Sequence, residues 1–222
     1  LTTISSYAFT KMDGLLSVNL PASVVSIEEH AFDSCDKLAT LNIPEDSQLV
    51  TIGNYAFKGC MIKSLSLPAS LVTLGTEAFR DNAELASLTF AEDGNLTAIG
   101  DYAFYGCYGF TTLTIPAYIE TIGDYAFYGS TSSSKLEQVI FEKGSRLTTI
   151  GARAFQNNKA LETIGEAVVG ADGETQYVLP ASITEIGDNA FYSCAGLQYL
   201  LFAEDTSLTT LGNSVFYGCS SL

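Results

Sequence analysis

The sequence is poor in positive charge and has almost no histidine. Its 222 residues include 10 Lys and Arg against 25 Asp and Glu, with one His, and the formal net charge is -15. This excess of negative charge excludes a basic groove for nucleic acid and disfavours binding to anionic membranes. No apolar run reaches the roughly 18 residues that a membrane-spanning helix needs. We therefore predict neither a nucleic-acid partner nor membrane insertion.

Motifs for catalysis and metal binding are also lacking. The chain has no phosphate-binding loop, no nucleophile elbow and no acid-base pair outside the repeated positions described below. His30 is the only histidine, and the cysteines are not spaced as zinc ligands. We predict a protein that is not an enzyme, with no catalytic residues, no cofactor and no metal site.

What the chain does contain is a repeat. A phenylalanine that follows alanine, or valine in the last copy, recurs nine times at spacings of 22 to 36 residues. A period of this length is typical of a solenoid, in which each repeat contacts only its neighbours. The repeated phenylalanines are Phe9, Phe32, Phe57, Phe79, Phe104, Phe127, Phe155, Phe191 and Phe216.

A full unit follows the pattern L-x-x-I-G-x-x-A-F-x-x-C-x-x-L-x-x-L-x-I-P, as between Leu96 and Pro116. The segment before the proline predicts a short strand, so stacked units should form one parallel sheet. The glycine after isoleucine, as at Gly100, suits a turn with positive φ. The Asp or Asn that follows it, as at Asp101, suits the N-cap of a helical turn packed behind the sheet by the phenylalanine. The predicted fold class is therefore α/β, with strands on a concave face and short helical turns on a convex face.

The five cysteines all lie three residues after a repeated phenylalanine. Buried cysteine behaves as a small apolar side chain, so we predict a ladder of buried free thiols. Two pairs, Cys35 with Cys60 and Cys194 with Cys219, lie in adjacent units and could approach disulfide distance. The number of cysteines is odd and their side chains run parallel in the ladder, so free thiols are favoured over disulfides. The cysteines are Cys35, Cys60, Cys107, Cys194 and Cys219.

The unit resembles the BspA-type (treponemal) leucine-rich repeat. Leucines recur in the Leu-x-x-Leu-x-Leu pattern of leucine-rich repeats, and the I-G-x-x-A-F-x-x-C segment with a strand ending in Leu-Pro or Ile-Pro marks the variant. The resemblance covers essentially the whole chain. The departures are Val215 in place of alanine, and Met12, Asn82, Ser130 and Asn158 in place of cysteine.

This family is typical of surface or secreted proteins of host-associated bacteria and some protists, and some members are adhesins. The resemblance therefore implies an extracellular, non-catalytic, protein-binding role, with a host extracellular-matrix protein as a possible kind of partner. It specifies the frame and not the ligand. Neither the resemblance nor the residues predict an oligomeric state.

One insertion breaks the repeat, near residues 165–178. Strand-like runs flank an Asp-Gly pair at 172–173, which is a strong short-range signal for a hairpin. Insertions in solenoids commonly map to the binding face, although a neutral surface hairpin is the alternative. We predict one leucine-rich-repeat domain over residues 1–222. Because the chain begins and ends within a unit, we expect it to be a fragment of a longer protein.

The predicted partner-binding residues lie at outward positions of the strands or in the hairpin. The first five units present only small polar residues there, whereas later units present larger ones, which are the better anchors for a protein partner. The alternative is that Tyr199 and Leu201 only pack under the hairpin or under a missing C-terminal repeat. Two other functions stay open: a glycan-binding module that uses tyrosines, and a passive spacer that presents another domain. The predicted residues are Tyr199, Leu201, Ile140, Gln138 and Tyr177.

Overall fold

A computed structural model describes residues 1–130, 132–170 and 173–222. The strands in chain order are β1 (Thr3–Ile4), β2 (Ser17–Asn19), β3 (Ser26–Ile27), β4 (Thr40–Asn42), β5 (Thr51–Ile52), β6 (Ser64–Leu67), β7 (Thr73–Leu74), β8 (Ser87–Phe90), β9 (Ala98–Ile99), β10 (Thr112–Ile115), β11 (Thr121–Ile122), β12 (Gln138–Phe141), β13 (Thr149–Ile150), β14 (Thr163–Val169), β15 (Thr175–Leu179), β16 (Glu185–Ile186), β17 (Leu201–Phe202) and β18 (Thr210–Leu211).

The chain winds into coils, each built from one repeat unit, and the strands form two series. The predicted strands pair as β2–β4, β6–β8 and β10–β12–β14–β15–β17. A second series of two-residue strands, which the sequence reasoning did not predict, pairs as β1–β3–β5–β7 and β9–β11–β13–β16–β18. Every described pairing is parallel except that of β14 with β15. The architecture is thus a parallel β-solenoid.

The core is a column of stacked side chains that runs through the coils. The nine repeated phenylalanines stack ring on ring, with centroids 5.0 to 5.7 Å apart and interplanar angles of 2 to 10°. The Leu, Ile and Ala positions of the unit pack around this column and are buried along most of the chain. The phenylalanine column predicted from the spacing is confirmed.

The predicted helical turns are wrong: the described residues contain no helix, so the fold class is not an α/β mixture. Tyr102 has a φ of 55° in the left-handed region, and equivalent residues do so in the other units, which interrupts any α-helix. Its amide donates to the carbonyl of Asp124 in the next coil (2.8 Å), whereas the amide of Ala103 donates to Gly100 in its own coil (3.2 Å). The segment is a run of turns that alternates bonds within and between coils.

The Asp and Asn residues predicted as N-caps instead bond to the neighbouring coil. Asp101 Oδ1 accepts the amide of Asp124 at 2.8 Å, and Asp124 Oδ1 accepts the amide of Ala152 at 2.7 Å. Asn54 Oδ1 accepts the amide of Thr76 in the same way at 2.9 Å. These side chains therefore tie consecutive coils together, where a helix cap would have acted within one coil.

The glycine after isoleucine is required by close approach and not by positive φ, which corrects the sequence prediction. None of these glycines is in the left-handed region. A Cβ at Gly187 would lie 2.5 Å from the backbone nitrogen of Ala152 in the preceding coil. The same conflict occurs at Gly53, Gly75, Gly100, Gly123, Gly151 and Gly212.

Replacing Gly187 with alanine is expected to lower the free energy of unfolding by about 1–3 kcal/mol, the usual cost of overpacking. The added methyl group must push two coils apart because backbone atoms cannot move aside as a side chain can. Urea unfolding followed by circular dichroism measures the loss. The matched control is Gly14→Ala, since a Cβ at Gly14 meets nothing within 4 Å. Equal stability of the two variants would contradict the close approach of the coils.

The cysteines form a ladder of hydrogen bonds to the phenylalanine column. Cys60 Sγ donates to the carbonyl of Phe32 (3.3 Å), and the other four thiols donate to the equivalent carbonyl in the preceding coil. All five cysteines are free, and all except Cys219 are buried. Burial raises the pKa of the Cys107 thiol well above its ordinary value, so the thiol stays protonated at neutral pH. The prediction of free thiols is confirmed, with Cys219 only partly buried.

Candidate protein-binding cleft

The insertion forms a hairpin within a strand of the seventh unit. β14 pairs with β12 as far as Glu166 and then pairs antiparallel with β15 from Glu166 to Val169. At the base of the hairpin, Gly165 has a φ of 150°, and a Cβ there would lie 2.5 Å from the backbone nitrogen of Val178. After Gly165 the chain therefore turns away from the first series of strands, to which β12 and β17 belong, and it returns to that series at Val178. Asp172, which the sequence places in the turn, lies outside the described residues.

A cleft of about 420 Å³ lies between β15, the second strand of the hairpin, and three side chains of the solenoid coils. One wall is residues 174–177. The other is Thr163, Tyr199 and Leu201. Tyr199 is 65% exposed. Its predicted position within a strand is wrong, because β17 begins only at Leu201. We call this feature the hairpin cleft.

Three of the five predicted binding residues meet in the hairpin cleft: Tyr177, Tyr199 and Leu201. The other two lie on β12, the strand next to β14, and do not line the cleft. Gln138 pairs with Thr163, and its Nε2 donates to the Thr163 hydroxyl at 3.2 Å. Ile140 pairs with Gly165 at the base of the hairpin. Both are partly buried neighbours of the cleft.

Sequence reasoning did not select Glu174, Thr175 or Gln176 as site residues. They are small or polar, and residues of these types do not by themselves indicate a binding site. Their position beside the Asp-Gly pair indicates that they belong to the hairpin. The orientation of the hairpin, however, depends on the backbone conformation at Gly165. That orientation brings the hairpin residues opposite Tyr199.

The outward surface of the earlier strands is polar and partly bonded to itself. Asn42 Nδ2 donates to Asn19 Oδ1 at 2.5 Å, and the hydroxyls of Ser66 and Thr89 share a hydrogen bond of 2.6 Å. These cross-strand pairs satisfy one another in successive coils. This part of the strand face therefore presents no large apolar anchor comparable with Tyr199.

The tyrosines on the opposite side of the coils have many of their ring faces covered. Tyr102 stacks on Tyr125 with centroids 4.5 Å apart, and Tyr105 stacks on Tyr128 at 5.0 Å. Arg80 lies over the Tyr105 ring at 4.6 Å. A sugar that stacks on an aromatic side chain needs an open ring face, so this cluster argues against the glycan-binding alternative.

A second cavity, of about 700 Å³, is lined by acidic residues from the connections that follow β8 and β12. These residues are Glu92, Asp93 and Glu142. Tyr118 crosses the cavity and donates its hydroxyl to the carbonyl of Ala91 at 2.8 Å. Burial, with the nearby carboxylates of Glu142 and Asp93, raises the pKa of Tyr118 to about 12.

Two features that other functions would need are absent from the described residues. Across residues 1–130, 132–170 and 173–222, no three side chains of His, Cys, Asp or Glu are grouped so that they could hold a metal ion. Within the same ranges there is no helix of the length and apolarity needed to cross a membrane.

The stacked parallel strands, the phenylalanine column and the short repeat define a solenoid of the leucine-rich-repeat type. A model of the BspA type leucine rich repeat region matches six copies, over residues 2–134, 97–167 and 172–222. The chain belongs to the BspA-type leucine-rich-repeat family, as its repeat unit indicates.

Solved structures of bacterial proteins share the fold. The pneumococcal vaccine antigen PcpA aligns over 99% of this chain and 54% of its own, with 22% identity and a TM-score of 0.66. A leucine-rich repeat protein from Bacteroides ovatus aligns over 100% of this chain and 69% of its own, with 21% identity and a TM-score of 0.52. A leucine rich cell surface protein from Faecalibacterium prausnitzii aligns over 100% and 68%, with 18% identity and a TM-score of 0.50. A search of curated proteins finds no match.

Proposed function

We propose that this chain is a non-catalytic protein-binding module of a bacterial cell-surface or secreted protein, and that it acts in adhesion. Family membership and the leucine rich cell surface protein among the similar structures support an extracellular location. Residues 1–222 act as a single rigid domain in this proposal. The partner is an extracellular protein, and host extracellular-matrix proteins are the first class to test.

The hairpin cleft is the single observation that carries the proposal. Tyr199 and Leu201 are larger than the outward residues of the early strands and line the cleft together with Tyr177. Tyr199 is exposed, whereas Leu201 is half-buried. Tyrosine is one of the residue types that most often dominate the binding energy of a protein interface, so Tyr199 is the main anchor in this proposal. Gln138 and Ile140 extend this surface onto the adjacent strand, where a larger partner would reach them.

Replacing both Tyr199 and Leu201 with alanine is expected to weaken partner binding by at least about 2 kcal/mol, the usual loss at an interface hot spot. Purified extracellular-matrix and serum proteins are passed over the immobilised chain, and the affinity of each captured protein is measured by surface plasmon resonance. The control is Thr112→Ala with Thr114→Ala, which truncates two exposed side chains of β10. Unchanged affinity in the Tyr199 and Leu201 variant would remove this site.

The spacer function is the second candidate, because a rigid solenoid can present another domain without binding anything itself. It predicts that no extracellular protein is captured by the folded chain at all. Capture of an extracellular protein that is lost when Tyr199 and Leu201 are replaced would favour the binding module over the spacer.

A further inference from the structure

The hairpin offers a strand edge as well as side chains. Residues 175–177 of β15 pair with β14 on one side, and the pairing of β15 with β17 begins only at Val178 with Leu201. In the described part of the chain, residues 175–177 thus have no strand beside them on the cleft side. An open strand edge is a template on which another extended segment can add.

The hydrogen-bonding register shows which main-chain groups face outwards. Gly170 donates its amide to the carbonyl of Glu174 at 2.8 Å, which marks a hydrogen-bonded pair at the end of the hairpin. Bonded and non-bonded pairs alternate in antiparallel ladders, so Val168 with Gln176 is bonded and Val169 with Thr175 is not. The amide and carbonyl of Thr175 therefore point away from β14, and Thr175 lines the hairpin cleft.

The charge of this end of the chain is of one sign. No Lys, Arg or His occurs after Lys159, whereas eight Asp and Glu residues do. Glu174 is itself in the wall of the cleft. A positively charged segment is therefore attracted to the cleft, and a second copy of this acidic chain is repelled from it.

We propose that the hairpin cleft binds an extended, basic segment of a partner protein, which adds as a strand to the edge of β15 at Thr175 and places an apolar side chain against Tyr199 and Leu201. The inference rests on the proposed protein-binding function and names the chemistry of its partner. Main-chain bonds to β15 supply affinity, and the acidic surroundings with Tyr199 supply selectivity.

The test is a selection of random short peptides, displayed on phage, against the intact chain. Enriched peptides are expected to be rich in Lys and Arg with at least one large apolar residue, and to bind more weakly as salt concentration rises. Thr175→Pro is expected to weaken them about tenfold, equivalent to about 1.4 kcal/mol, because proline removes the outward amide. Thr175→Val loses the same hydroxyl but keeps the amide, so the difference in affinity between the valine and proline variants measures the main-chain bond alone.

Proline is tolerated on a strand edge whose amide faces outwards, so Thr175→Pro should keep the hairpin. If it fails to fold, peptides N-methylated at alternate residues decide, because strand addition tolerates methylation in only one of the two registers. Failure to enrich any peptide, enrichment of acidic peptides, or equal binding by the proline and valine variants would overturn strand addition. Peptides that need Tyr199 and Leu201 but ignore Thr175→Pro would overturn it and leave the proposed protein-binding function standing.

Discussion

Replacing Phe104 with alanine is expected to lower the free energy of unfolding by about 3–5 kcal/mol, the usual cost of removing a buried phenylalanine. Phe104 is 1% exposed and stacks between Phe79 at 5.7 Å and Phe127 at 5.4 Å. Phe110 meets its edge at 6.4 Å. The truncation leaves a cavity in the middle of the column that neighbouring coils cannot close, since their spacing is fixed by backbone hydrogen bonds. Urea unfolding measures the change.

The matched control for this prediction is Phe9→Ala in the first coil. Phe9 has the same position in its unit but is 40% exposed and stacks on Phe32 alone. Its truncation is expected to cost less than half as much as that of Phe104, because less area is buried. If the two substitutions cost the same, the stability of the solenoid does not come from the continuous phenylalanine column.

Replacing Asn82 with alanine is expected to cost about 3 kcal/mol, because at least two buried main-chain groups lose a partner at about 1–3 kcal/mol each. Asn82 stands where most units have cysteine, and it is fully buried. Its Nδ2 donates to the carbonyls of Phe57 at 2.8 Å and Phe79 at 2.9 Å. Its Oδ1 accepts the amide of Ile62, in the preceding unit, at 3.1 Å.

Asn82→Cys tests whether the lost stability comes from the hydrogen bonds of Asn82 or only from the volume of its side chain. A cysteine there can donate to the Phe57 carbonyl, as the other thiols of the ladder do, but it cannot replace the bonds to Phe79 and Ile62. Its stability should fall between those of the original chain and Asn82→Ala in the same urea titration. An alanine variant as stable as the original would show that these bonds contribute nothing, contrary to their burial.

The repeat made the solenoid and its core predictable. Phe104 and its equivalents could be placed because only a regular coil puts one residue type in register over nine units. Outward positions such as Thr112 and Thr114 followed from alternation along a strand. The prediction of helical turns was wrong because it relied on the helix propensity of Tyr-Ala-Phe-Tyr. Propensity does not indicate that Tyr102 adopts a left-handed φ. That conformation is stabilised by bonds to the next coil, and single-segment reasoning does not include them.

The candidate site was predictable in part for the same reason. Tyr199 and Leu201 were identified because they differ from the small polar residues of the earlier strands. Gln138 and Ile140 share the outward alternation, but they lie one strand away from the cleft because the hairpin rises between Gly165 and Val178. The proposed role of Thr175 could not be predicted from the sequence, since it depends on which amides of the hairpin face inwards.

The most direct test of the account is amide hydrogen exchange of the intact chain, with and without a captured extracellular partner. Partner binding is predicted to slow exchange at Thr175–Tyr177 and Tyr199–Leu201, where main-chain groups border the hairpin cleft. Exchange between Tyr102 and Tyr128, on the side covered by stacked tyrosines, should not change. Protection of that tyrosine segment without protection in the cleft would contradict the assignment of the binding site to the hairpin.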